Sequence, residues 1–106
     1  MSFRVALTGR AEQDRDAAFD WYAEHYSRDF AIRWYEGIQS TLASLSQNPR
    51  RCGIAHESNK FSFEVRELLY GRRANKHRVL FTIHDDVVLV LHIRHSARRD
   101  LTEEDL

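Results

Sequence analysis

The feature that most constrains this chain is its last apolar run, "VVLVLHIRH" from Val87 to His95, joined through "DD" to a second run, "KHRVLFTIH" from Lys76 to His84. Both runs are rich in β-branched and aromatic residues, and a two-residue connector is the length of a tight hairpin. A nearly continuous aliphatic strand has no solvent face to offer. It belongs in the middle of a sheet, with both faces covered. The end of the same run is different: "HIRHSARRD" brings two histidines and three arginines, and guanidinium groups rarely stay in a core unpaired.

The N-terminal half supplies the cover. From Ala11 to Tyr26 the pattern is helical, with Ala11, Ala18, Trp21, Tyr22 and His25 on one face. Thr8 is placed to cap it, and Glu12, Asp14, Asp16 and Asp20 sit early, where the helix dipole favours carboxylates. Ser27 caps a second helix, whose stripe runs Phe30, Trp34, Ile38, Leu42, Leu45 and is stopped by "QNP" at Gln47 to Pro49. With almost no connector, the two form an antiparallel hairpin. The aromatic stripe Trp21, Tyr22, Phe30 and Trp34 is the kind that can line a cofactor pocket, but at this spacing it is expected to be core.

"FRVAL" (Phe3 to Leu7) and "FEVRELLY" (Phe63 to Tyr70) read as further strands, and Arg50 to Phe61 as a loop. The expected fold is therefore α+β, in the order β-α-α-β-β-β. A helical hairpin packs on one face of a small, mainly antiparallel sheet.

The 106 residues fit one domain, taken to span 1–106. With 42% hydrophobic and 30% charged residues, the composition is that of a folded, soluble protein. No run approaches the roughly 18 apolar residues of a membrane helix, and the N-terminus does not read as a signal peptide, so no membrane and a cytoplasmic location are expected. Cys52 is the only cysteine, which leaves no disulfide framework and no cysteine-based zinc site. The net charge of zero is unevenly laid out: residues 60–99 carry nine cations against four carboxylates, and the tail 100–106 carries four carboxylates and no cation. Fourteen of the sixteen basic residues are arginine, whose planar fork suits phosphate and carboxylate.

A tight Asp85–Asp86 turn would pair Ile83 with Val88 and Val79 with His92. Arg78 then shares a face with Ile93 and His95, while His92 and Arg94 lie on the other face with His77 and Val79. His92 and His95 point opposite ways and do not form a joint metal site. Arg78 and His95 converge at the open end of the sheet, with Arg98 following. Two guanidinium groups and an imidazole suit holding a phosphate and moving a proton. The competing reading pairs Arg78 and His95 with the acidic tail residues Glu103, Glu104 and Asp105.

Three segments, "VRELL", "HRVLF" and "VLHIRHSARR", in this order and spacing after the long helical hairpin, resemble the RelE/ParE superfamily of toxins from type II toxin–antitoxin systems. The resemblance spans roughly Phe3 to Asp100 and implies two helices against a curved antiparallel sheet. It also implies one of two activities. RelE-like members cut messenger RNA on the ribosome, using arginines for the phosphate and a late tyrosine or histidine for the proton. ParE-like members poison DNA gyrase.

On the first reading the catalytic residues are Arg78, His95 and Arg98. However, no tyrosine follows Tyr70, and only Lys60 and Lys76 stand where some ribonuclease members are lysine-rich. These departures and the helical hairpin place the chain on the ParE side: a growth-inhibiting toxin of a plasmid-stabilisation module, with gyrase as target and ribosome-dependent mRNA cleavage as the alternative. The implied partner is a cognate antitoxin, in a possible toxin–antitoxin hetero-oligomer, and no cofactor is implied. Arg66, Arg72, Arg73, Arg94 and Arg99 are the candidates for binding target or antitoxin. Trp34 and Tyr35 either anchor that partner or pack on the sheet.

Overall fold

The computed structural model describes residues 2–72 and 76–97. Arg73, Arg98, Arg99 and the acidic tail lie outside the described residues. The chain runs β1 (Arg4–Leu7), α1 (Gly9–His25), α2 (Arg28–Ala43), β2 (Arg66–Tyr70), β3 (His77–His84) and β4 (Val87–His95), with short 3-10 turns between α2 and β2. The four strands form one sheet in the order β1-β4-β3-β2. β1 is parallel to β4, and the other pairs are antiparallel.

Both helices start where a hydroxyl satisfies an otherwise orphaned amide. Thr8 Oγ1 accepts from the Ala11 amide at 3.0 Å, and Ser27 Oγ accepts from the Phe30 amide at 3.0 Å. Thr8 does a second job. Its hydroxyl donates to the Leu91 carbonyl at 3.0 Å, which ties the start of α1 to β4. The turn that follows α2 is held by Arg51, whose guanidinium donates to the Gln47 carbonyl at 2.6 Å and the Asn48 carbonyl at 3.1 Å.

The stripe of α2 is buried as its spacing requires. Ala31, Trp34, Ile38 and Leu42, continued by Leu45, meet Val79, Phe81, Val88, Val90 and Ile93 of the central strands. The other face of the same strands is also covered, by the long segment before β2. Ala55, Val65 and Phe61 pack there on Leu80, Leu89 and Leu91. This accounts for the unbroken aliphatic run: helices lie over one face of β4, and a loop lies under the other.

Two expectations need correction. Ile83 does pair with Val88, but Val79 pairs with Ile93 and not with His92. A bulge intervenes: Phe81 faces Val90 and Leu80 faces His92, so Leu91 is the extra residue on β4. Its carbonyl is the one Thr8 binds, and the next free amide, that of Ile93, donates to Asp14 Oδ2 at 3.1 Å. Contacts from α1 thus supply backbone partners beside the bulge.

The second correction is Trp21, which is 49% exposed and stacks on His25 with ring centroids 4.4 Å apart. The apolar face of α1 is narrower than its periodicity suggested, with Ala11 and Tyr22 fully buried and Ala18 partly so.

Candidate functional site

The bulge rearranges the basic end of the sheet. Beyond it, Arg78 pairs with Arg94 and His77 with His95. Arg78 therefore shares a face with Arg94, and His95 lies on the opposite, helix-covered face beside His77, ring centroids 5.3 Å apart. The expected convergence of Arg78 and His95 does not occur. Nor does Arg94 share a face with His77 and Val79, because the added residue reverses the alternation, while His92 stands at the bulge opposite Leu80.

Arg78 is buried in a carboxylate clamp. Its two terminal nitrogens donate to Glu57, at 2.8 Å to Oε2 and 2.6 Å to Oε1, while its Nε donates to Glu67 Oε1. Glu57 is fully buried. The Glu57 hydrogen bonds, with those of Glu67 added, outweigh burial and raise the Arg78 pKa above its ordinary value. Among the described residues its partners are two that sequence reasoning passed over; the tail acids lie outside them. Glu57 stands in an aperiodic loop that gave no signal. Glu67 had a weak one: it is a lone carboxylate inside the strand signal "VRELLY".

The other candidates divide. Arg66 braces the loop: its Nη1 donates to the Cys52 carbonyl at 2.6 Å and to the Arg50 carbonyl at 3.2 Å, and its Nε donates to Glu64 at 3.0 Å. Arg94 is buried and Arg72 is exposed. His95 is half-buried, and its Nδ1 accepts from the Ala97 amide at 3.1 Å. With His77, Asp14, Trp21, Tyr22 and Ile93 it lines a hollow of about 590 Å³ between α1 and the end of β4.

At the floor of that region Asp14 Oδ2 also meets the buried His92 Nδ1 at 2.9 Å. Burial alone would raise the Asp14 pKa, but the bonds from His92 and the Ile93 amide, helped by Arg10, hold it below the usual carboxylate value. Burial pushes the Cys52 thiol up, which is the behaviour of a packing residue and not of a nucleophile. Trp34 is buried against Tyr22, Tyr70 and His77, and Tyr35 packs edge-on to Phe19. Neither is an exposed anchor. No helix among the described residues is long and apolar enough to cross a membrane.

The fold is similar to that of a solved chain of the chromosomal ParDE TA system from P. aeruginosa. The match has a TM-score of 0.72 at 21% identity and covers 89% of this chain and 96% of that one. No match is found among the curated proteins. The family model described as the ParE toxin of the type II toxin-antitoxin system parDE matches residues 5–100, a span running from β1 past the end of β4. The strand–hairpin–sheet order and the segments that carried the resemblance all fall inside that match, and the chain belongs to the ParE toxin family of type II toxin–antitoxin systems.

Proposed function

We propose that this toxin acts in the cytoplasm by binding DNA gyrase, not by cutting RNA, and that a cognate antitoxin silences it within a plasmid-stabilisation module. One observation carries the reading against cleavage. Arg78, the arginine a ribonuclease would offer to the phosphate, has all three guanidinium nitrogens on Glu57 and Glu67, and the sheet separates it from His95. A phosphate would have to displace two carboxylates from a buried pair, and the base would sit on the wrong face. A binding toxin has no such requirement. Arg72, Arg73, Arg94 and Arg99 remain candidate contacts to target or antitoxin, whereas the bonds of Arg66 support a bracing role.

The test is purified toxin in a cell-free translation reaction, with primer extension on the message, beside a gyrase supercoiling assay. Full-length message with blocked supercoiling is expected. Cuts within ribosome-bound codons that persist in a folded Arg78→Ala variant would place a nuclease site elsewhere. Cuts lost in that folded variant would restore the ribonuclease reading.

A further inference from the structure

The hollow of about 590 Å³ between α1 and the end of β4 has mostly apolar walls, made by Ala17, Ala18, Trp21, Tyr22, Ile93 and Ala97. Trp21 is exposed yet held in place: its ring stacks on His25, whose Nδ1 lies 3.0 Å from the Trp21 carbonyl. Beside the hollow, α1 turns a row of carboxylates to solvent. Glu12, Asp16, Asp20 and Glu24 are all exposed and recur at every fourth position, about 6 Å apart along the axis. Asp20 lies three positions after Ala17, and Glu24 three after Trp21, so each is a surface neighbour of a residue that lines the hollow. Local physics does not favour this row. Like charges at that spacing repel, and Glu24 stands in the last turn of α1, where the helix dipole disfavours an anion. Arg15 pairs with Asp16 at 3.1 Å and Arg10 with Asp14 at 3.2 Å. Glu12, Asp20 and Glu24 make no ion pair with any described residue. The row is not a metal cage, because no cluster of three or more potential ligands occurs among the described residues. An apolar recess, a held indole and unpaired carboxylates adjoin on one side of the protein.

We propose that this face of α1 docks on a lysine- and arginine-bearing surface of the target, the kind of surface with which a protein holds DNA. Aliphatic stems enter the hollow, a guanidinium lies on Trp21, and further cations meet Glu12, Asp20 and Glu24. A regular row of anions imitates what a phosphate backbone offers such a surface. The same charges repel nucleic acid itself, so the occupant is protein. Helix α1 carries none of Arg66, Arg72, Arg73, Arg94 and Arg99, so this face is separate from the arginine contacts considered above. The identity of the target rests on the gyrase reading, whereas the chemistry of the face does not.

The test is binding of the full-length toxin to purified gyrase, with and without duplex DNA. Duplex DNA is expected to displace the toxin. The double variant Asp20→Asn/Glu24→Gln should bind about tenfold more weakly at low salt, chiefly through slower association, and the difference should shrink at high salt. Both side chains are exposed, so this variant should not lower Tm. Equal affinity of the folded variant and the parent, or a toxin affinity that DNA leaves unchanged, would overturn the proposal and leave the gyrase reading standing. Should the parent toxin not bind gyrase, the gyrase reading fails and a peptide decides the face. The probe is then a hexapeptide of alternating arginine and leucine, titrated into ¹⁵N-labelled toxin and followed by NMR. A saturable shift of the Trp21 indole N–H, with the buried Trp34 unmoved, that is lost when glutamine replaces arginine supports the docking chemistry. No shift at millimolar peptide, or equal shifts from the glutamine peptide, overturns it.

Discussion

Glu57 and Arg78 are a buried ion pair, and such a pair is sensitive to the loss of one member. Glu57→Gln leaves the Arg78 charge with only Glu67, and should lower the unfolding free energy by about 3–5 kcal/mol in urea denaturation. The double variant Glu57→Leu/Arg78→Met removes both charges and should recover much of that loss, so the two effects will not add. An activity assay on Arg78 variants is therefore informative only beside a folding measurement.

Asp14 behaves differently, because its charge does the bonding. Its pKa is lowered in the fold, so its contribution is complete above the ordinary carboxylate value of about 4 and is lost as pH falls through the lower, folded value. Asp14→Ala should cost about 1–3 kcal/mol at neutral pH by orphaning the Ile93 amide and His92. The gap to the parent should close as pH drops below about 4. A gap that stayed constant with pH would mean the lost stability is packing and not charge.

At the scale of elements, two close fits decide the geometry. Gly37 lies where Tyr70 crosses α2: a Cβ added there would collide with the Tyr70 hydroxyl and ring. In an exposed helix Gly→Ala stabilises by up to about 1 kcal/mol. Here Gly37→Ala should instead lower Tm, and Tyr70→Phe in the same chain should restore part of it by removing the closest atom.

The other fit is the bulge. Strands, helices and both caps could be read from local pattern: β4 runs Val87–His95 as its apolar run indicated, and Thr8 and Ser27 cap as their positions required. The register could not be read, because Leu91 carries no glycine or other mark. Its displacement is stabilised by Thr8, 83 positions away in the chain, and the Ile93 bond comes from Asp14, 79 positions away. The site reading rested on that register, so one extra residue separated Arg78 from His95. The exposed face of α1 escaped for a related reason: periodicity gives the direction of a helix face but not how far the neighbouring helix extends over it. Thr8→Val should keep most of the packing volume but lose both the cap and the Leu91 bond, costing about 1–2 kcal/mol in denaturation.

Across the whole molecule the family could be read where the register could not, because the segments that carry it follow the order of strands and helices. The order of strands in space is less local. β1 lies beside β4 and parallel to it, with Arg4 opposite Val87 and Leu7 opposite Val90. Among the described strands the first therefore pairs only with the last. A chain cut after Asp86 keeps every residue of both helices but loses the strand between β1 and β3. It should show no slowly exchanging amides in hydrogen exchange, not even in α2. The same placement bears on how the toxin is made. During synthesis β1 has no partner strand until β4 has followed both helices, β2 and β3 out of the ribosome, so the sheet cannot close on its first strand before β4 is made. A nascent chain that has not reached β4 therefore lacks the complete sheet on which both helices pack.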